Sequence, residues 1–390
     1  MSKLTKKAME IIMKNTTDDH KVMAALEGPG GDHKDYLHVW PRDSFFVALE
    51  LKNFNRSLAE DIVRGIVKLP TDNGLFYQRY ELNGIPDDRA WCNGDGNRQL
   101  DQDALRFVVL AEFPGIRTDI KEIKKNYESF LDQIKQKKTV TDVWEQKNGY
   151  FFYTSTAIIW GLKSAEKILP ESKEKHKKIL DEIVKSLDSF FDKKLNSFVK
   201  TPSEKIIDLE IILGLNILFQ YGNGIFASRQ RLEKVVSTLK AVEKEIAVKI
   251  GDVKVPIRYK EDFWNGEKVG PNGSGRPWPM GIAFISQAYS YLVKAALSIR
   301  EFGIAEEALE DAYRWLSYLK NTPNIEQFPE QIDFDGSVPQ QVARPLTWCA
   351  AELLKAERLF SEAKAVLEEV DSVNLRMISK NLILNPSSLN

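Results

Sequence analysis

Glu145 follows Trp144 directly, just ahead of the aromatic run Tyr150-Phe151-Phe152-Tyr153, which reads as the start of a helix. A carboxylic acid pressed against an indole and short of water has its charged form disfavoured, so its pKa rises and it can still donate a proton near pH 7. That is the property of a general acid. The competing reading is one surface glutamate among many beside a helix start. An acid of this kind needs a second carboxylate to activate the incoming water. The best candidate is Glu330, far away in sequence in Phe328-Pro329-Glu330-Gln331-Ile332-Asp333. Brought face to face across a sugar-sized pocket, the two would be equipped for glycoside hydrolysis.

A second cluster supports a polar, hydroxyl-rich ligand. In Tyr36-Leu37-His38-Val39-Trp40-Pro41-Arg42-Asp43, Pro41 fits the first turn of a helix and places Arg42 and Asp43 at its mouth beside two aromatics. Such a pair can hold several hydroxyls through charge-assisted hydrogen bonds. Alternatively Asp43 complements the helix dipole with Arg42 as its ion-pair partner. Two long stretches, residues 255–279 with Arg258, Tyr259, Trp264 and Trp278, and residues 328–341, carry too many aromatic and charged side chains to be mere connectors. Gln78-Arg79-Tyr80 sits in a short strand or extended loop over residues 75–84. The loop over residues 91–98 holds Gly94-x-Gly96, which is no dinucleotide fingerprint, because no buried strand precedes it and no third glycine follows.

The 55 basic and 56 acidic residues leave a formal charge of −1, so no global field invites nucleic acid or anionic lipid, and a neutral substrate fits better. The two cysteines, Cys92 and Cys349, cannot make a disulfide framework and lack neighbours at metal-ligand spacing. They read as small buried apolar residues in a reducing compartment. The first 15 residues interrupt their apolar positions with charge and form no secretory segment, and no apolar run reaches the roughly 18 residues of a membrane span. A cytoplasmic location is expected.

These residues must be positioned by helices. Periodicity predicts twelve, over residues 3–14, 41–53, 56–68, 99–112, 118–136, 150–169, 172–192, 204–221, 227–250, 279–302, 305–320 and 343–360. Two kinds alternate. Residues 172–192 put Ile179, Ile183, Val184, Leu187, Phe190 and Phe191 on one face, whereas residues 206–221 are apolar nearly all round and must be buried on most sides. Six hairpins of one amphipathic and one buried helix make an all-α (α/α)6 barrel, with the polar, aromatic loops walling a funnel at one rim. No fixed period of 30 to 50 residues suggests a solenoid instead. The barrel is expected to occupy residues 1–370, with a tail over 371–390.

Taken together, Tyr36-x-x-x-Trp40-x-Arg42-Asp43, Gln78-Arg79-Tyr80, Trp144-Glu145, Arg258-Tyr259-x-Glu261-Asp262, Asn265-Gly266 with Pro277-Trp278, and Pro329-Glu330-Gln331 followed by Ala343-x-Pro345-Leu346-x-Trp348 resemble the catalytic domain of glycoside hydrolase family 15. That family holds the glucoamylases, the glucodextranases and a group of microbial trehalases. The resemblance implies an (α/α)6 barrel and an inverting mechanism that releases glucose from non-reducing ends of α-glucans or from α-glucosides. It makes Glu145 the general acid and Glu330 the general base. Arg42 and Asp43 would grip the innermost glucose, Tyr36, Trp40, Trp144 and Trp348 would line its subsite, and Arg258 would bind hydroxyls at or beside the cleavage point. The matched Tyr259, Trp278 and Gln331 join the substrate-binding set. So does Gln146, which stands where fungal glucoamylases have a second glutamate. No cofactor or metal is implied, and the sequence has no P-loop, HExxH pair or Gly-x-Ser-x-Gly elbow. The 390 residues leave room for neither an N-terminal β-sandwich nor a starch-binding module, which points to short glucans rather than long polymers. Trehalase or glucodextranase activity, and a barrel that binds glucan without cleaving it, are the alternatives.

Overall fold

The computed structural model describes residues 2–27, 36–87, 99–116, 119–136, 140–220, 225–262 and 275–384, with backbone only at 371 and 373–384. Trp91, Cys92, the Gly94-x-Gly96 motif, Trp264 and Asn265-Gly266 lie outside these residues. The described helices are α1 (Lys3–Lys14), α2 (Pro41–Leu51), α3 (Arg56–Val67), α4 (Leu100–Glu112), α5 (Ile120–Lys135), α6 (Phe152–Ile168), α7 (Ser172–Ser186), α8 (Glu210–Gln220), α9 (Arg229–Ile246), α10 (Pro279–Ser298), α11 (Phe302–Asn321) and α12 (Thr347–Leu384).

Each even-numbered helix packs on the next, α2 on α4 and so on to α10 on α12, and α12 returns to α2, so six inner helices close a ring. Outside it lie α1 against α12, α3 against α2, α5 against α4, α7 against α6, and α9 and α11 against α10. The molecule is an (α/α)6 barrel. The sequence explains the division. Along α6 every residue from Phe152 to Leu162 is buried, whereas α7 buries only Ser172, His176, Leu180 and Ile183 and gives its other faces to lysine and glutamate. A helix apolar on every side finds enough cover only between two layers.

Close approach within the inner ring depends on small residues. A Cβ on Gly161 of α6 would come within 2.7 Å of the Ala104 backbone on α4. Pro41 and Pro279 both occupy the first turn of an inner helix, where a missing N–H is harmless.

Several helix ends differ from the periodicity. The helix expected over residues 204–221 begins at Glu210, because the Asp208 carboxylate accepts the Glu210 N–H at 2.8 Å and the preceding residues pair extended with the Tyr259 segment. The one expected over 172–192 ends in a 3-10 turn at Leu187–Phe190 and a strand, Phe191–Asp192, paired with Ser197–Phe198. The one expected over 227–250 gives way to a hairpin, Ala247–Ile250 with Val253–Pro256, since its alternating β-branched residues flank a Gly251-Asp252 turn. The last helix starts at Thr347, after Arg344–Leu346 has paired with Ala25–Glu27, and runs to Leu384 rather than ending near 360. Asn73-Gly74, both at positive φ, turn the short hairpin of Thr71–Asp72 and Leu75–Phe76.

Among the described residues no helix is long and apolar enough to cross a membrane. Cys349 is a buried free thiol whose pKa burial pushes up to about 12.

The Gly161 contact is testable. Gly161→Val should lower the melting temperature by an amount equivalent to about 1–3 kcal/mol, the usual cost of overpacking, measured by thermal denaturation, and should leave the helical circular dichroism intact.

Candidate active site

Glu145 sits at the tip of a hairpin formed by Val140–Thr141 and Asn148–Gly149, directly ahead of α6. Its backbone is left-handed, with φ +63°, a conformation that costs a non-glycine residue energy unless the surroundings hold it. Asp142 supplies that hold. Its carbonyl accepts the Glu145 N–H at 3.0 Å, and its carboxylate accepts the N–H groups of Gln146 at 2.7 Å and Lys147 at 3.2 Å. Asp142 is tied in turn to Lys200, whose Nζ lies 2.6 Å from Asp142, 3.0 Å from Asp208 and 3.4 Å from Glu210. Asp208 also accepts the Trp144 indole N–H at 2.8 Å. One buried cation therefore joins the acid-bearing hairpin to the start of α8. Burial opposes the charge on Lys200, but the three carboxylates hold its proton well above the ordinary lysine range.

The two carboxylates line one pocket of about 80 Å³ together with Tyr36, Trp40, Arg42, Asp43, Trp144, Arg258, Trp278 and Trp348. Glu145 accepts the Trp40 indole N–H at 2.8 Å and has the Arg42 guanidinium at 3.6 Å. Its side chain is only 13% exposed. Burial pushes its pKa up to about 7, against the pull of Arg42, Arg79 and the Trp40 hydrogen bond. The sequence assigned the indole contact to Trp144, the chain neighbour. The indole that bonds the carboxylate is that of Trp40, from the mouth of α2. Glu330 is fixed by its own N–H donating to the Ala343 carbonyl at 2.9 Å, and its carboxylate accepts the Tyr36 hydroxyl at 2.6 Å. Tyr36 and Trp40 have ring centroids 6.0 Å apart, so one aromatic pair donates to both carboxylates.

Arg42 and Asp43 satisfy both readings offered for them. They form a buried ion pair at 3.0 Å in the first turn of α2, and both face the pocket. Arg42 also donates to Gln99 at 3.0 Å and lies over the Trp348 ring. Burial raises the pKa of Asp43 and of Asp101 behind it, with Arg42 pulling both down. Arg258 is held in a two-point bond to Asp262, at 2.8 and 2.6 Å, and lies over Trp144 and Trp278.

Three residues read as substrate-binding sit outside the lining. Gln146 accepts a short hydrogen bond from the Tyr259 hydroxyl, and Gln331 is buried beside Glu330. The lining adds Ala24, Val143, Met280 and Leu346, small or apolar residues without a chemical signature. The Lys200 cluster has no motif of adjacent residues, although Asp208 and Glu210 inside an apolar run demand a buried partner. Among the described residues no group of three His, Cys, Asp or Glu side chains could hold a metal ion.

A helical ring with two carboxylates in a pocket at one rim defines a glycosidase-like toroid. The model of glycosyl hydrolases family 15 matches residues 11–369, and the chain belongs to that family. It is 26% identical over 339 residues to an uncharacterized glycosyl hydrolase of Methanocaldococcus jannaschii, covering 83% of this chain and 51% of the relative. It is 25% identical over 397 residues to a glucoamylase of Clostridium sp., covering 91% of this chain and 51% of the relative. The chain thus spans about half the length of these two relatives. In fold it is similar to the glucoamylase from Saccharomycopsis fibuligera, with a TM-score of 0.73 at 18% identity over 93% of this chain and 95% of the other.

Two outcomes follow from the burial of charge. Because the Glu145 pKa is near 7 when folded and about 4.5 in an open chain, the folded state binds the extra proton between those values, so the stability associated with it is complete below pH 4.5 and lost as pH rises through 7. Glu145→Gln should therefore melt above the wild type at pH 8, by the equivalent of roughly 3 kcal/mol, and converge with it near pH 4.5. Lys200→Met strands three buried carboxylates and should destabilise the fold by about 3–5 kcal/mol in denaturant titrations at pH 7.

Proposed function

We propose that this chain is an inverting, exo-acting α-glucoside hydrolase of glucoamylase type that releases glucose from the non-reducing ends of short α-glucans in the cytoplasm. The observation that carries the reading is the aromatic pair Tyr36 and Trp40, each donating to a different carboxylate of one pocket. This gives the two acids unlike roles. Glu145, whose pKa burial raises to about 7, protonates the glycosidic oxygen as its bond to the anomeric carbon breaks. Glu330, oriented by the Tyr36 hydroxyl, takes a proton from water as the water oxygen attacks that carbon from the opposite face. One proton has then passed from Glu145 to Glu330 by way of substrate and water, and solvent restores both groups.

Arg42 and Asp43 supply fixed donors and acceptors for the hydroxyls of the terminal glucose, and Arg258 serves the cleavage point. The inward end of the pocket meets Trp348, stacked on Phe46 at 5.5 Å. A chain end can enter such a pocket and a chain middle cannot thread through it, which supports exo action. The family membership and the glucoamylase relative favour α-glucosides over other sugars.

The test is to incubate the purified protein with maltose, isomaltose, trehalose and maltoheptaose and follow glucose release and its anomeric form. The β-anomer should appear first from maltoheptaose, and kcat/KM should fall as pH rises through about 7, where Glu145 loses its proton. Glu145→Gln and Glu330→Gln should each lower kcat by roughly 10²–10⁴-fold with folding retained. Full activity in either variant would overturn the roles. Preference for trehalose would make the enzyme a trehalase, and sugar binding without glucose release would make it a glucan-binding barrel.

A further inference from the structure

A cavity of about 1030 Å³ is at the other end of the barrel, where α2, α4, α6, α8 and α10 finish and α12 passes. Its walls carry seven lysine and arginine side chains against four glutamates. The glutamates are already matched: Glu112 by Lys52 at 2.5 Å, Glu166 by Lys163 at 2.9 Å, and Glu362 by Lys294 at 2.6 Å. Glu50 is held by Arg358 at 2.7 and 2.8 Å through both oxygens. By count the walls hold three cations more than carboxylates; Lys167 shares Glu112 with Lys52 at 4.0 Å, which leaves Lys173 and Lys355 as the wall cations without a wall glutamate.

Lys355 is the unusual one. It is 7% exposed, lines the cavity, and among the described residues makes no hydrogen bond or ion pair. The nearby carboxylates are engaged elsewhere, Glu50 with Arg358 and Glu352 with the Trp348 indole at 2.8 Å and Gln287 at 2.7 Å. A largely buried ammonium with no partner in the protein is costly, and burial pulls its pKa below the ordinary lysine value despite the charges of Glu352 and Glu50. Aromatic side chains, Phe46, Trp160, Phe219 and Tyr291, share the walls.

We propose that this far-end cavity binds a small phosphate monoester, with Lys355 as the cation its phosphate group meets and the aromatic walls against its organic part. The charge count fits: a phosphate monoester carries nearly two negative charges at pH 7 and strong acceptor oxygens, which would meet the excess of the walls and the donors of Lys355. A neutral sugar would leave that ammonium charge unmatched. The organic part can be a sugar or a nucleoside, since both present a flat face to an aromatic ring. The site is independent of the hydrolase reading, but the two pockets meet through one stacked pair, Phe46 lining the far cavity and Trp348 lining the other.

The test is calorimetric titration of the full chain with inorganic phosphate, glucose 6-phosphate and adenosine monophosphate, on the wild type and on Lys355→Met. At least one ester should bind saturably and more tightly than inorganic phosphate, raise the wild-type melting temperature beyond the effect of potassium chloride at equal ionic strength, and lose roughly thirtyfold or more of its affinity in the variant, the scale of removing one partner from a buried charge pair. The choice between the two esters identifies the organic part. Without ester, the variant should melt at or above the wild type, because it loses an unpartnered buried charge, and should cleave maltooligosaccharides at the wild-type rate. No saturable binding at millimolar concentration, equal binding by the variant, or inorganic phosphate binding as tightly as both esters would overturn the proposal. Because binding is read without turnover, a failure of the hydrolase reading would leave this result distinguishable.

Discussion

The six inner helices bury most of their surface against one another and the outer layer, so a charge placed among them is costly unless the protein supplies its counter-charge. The arrangement of the molecule follows from that constraint. Arg42 has Asp43, Gln99, Asp101 and Glu145 around it; Lys200 has Asp142, Asp208 and Glu210; Arg358 has both oxygens of Glu50. These groups link neighbouring elements of the inner ring in addition to their hydrophobic packing. Near the rim the same charges face an open pocket, and there a ligand's hydroxyls can take a share of them.

The pair Tyr36 and Trp40 shows how a short stretch of chain can reach two carboxylates that are distant in sequence. Both precede Pro41, which starts α2 sharply, and their rings reach across the pocket mouth to carboxylates that come from residues 145 and 330. The donors do opposite work to burial at Glu145: the Trp40 hydrogen bond and the Arg42 charge favour ionisation, desolvation opposes it, and desolvation wins. A carboxyl balanced near neutrality in this way responds to small changes in its hairpin, which is why the Asp142 and Lys200 attachment matters for chemistry as well as stability. The left-handed backbone at Glu145 is sustained by the same attachment.

The two ends of the barrel differ in character. At the rim that bears Glu145 and Glu330 the pocket is narrow, walled by tryptophan and closed inward by Trp348 on Phe46. At the far end the cavity is wide and carries an excess of lysine. The larger opening is therefore not where the paired carboxylates lie. The proposed site rests on the convergence of titratable groups with strongly altered environments rather than on pocket size.

The sequence by itself determined the helices and their two kinds, because hydrophobic periodicity is local: α6 reads as buried and α7 as amphipathic from consecutive residues. It also supplied the site's chemical parts, since Trp-Glu, Trp-Pro-Arg-Asp and Pro-Glu-Gln are motifs of adjacent residues that resemble those of a known family. Helix ends were less legible. The start of α8 at Glu210 depends on Asp208 capping it while pairing with a segment fifty residues later, and the end of α9 depends on a hairpin competing with the helix. Only the tertiary structure decided which indole reaches Glu145, that Gln146, Tyr259 and Gln331 stand outside the lining, and that Lys200 and Lys355 are buried with opposite fortunes, one amid three carboxylates and one with none in hydrogen-bonding range. The physical reason is that a side chain's desolvation and its charge partners are set by residues distant in sequence, which closure of the ring brings together.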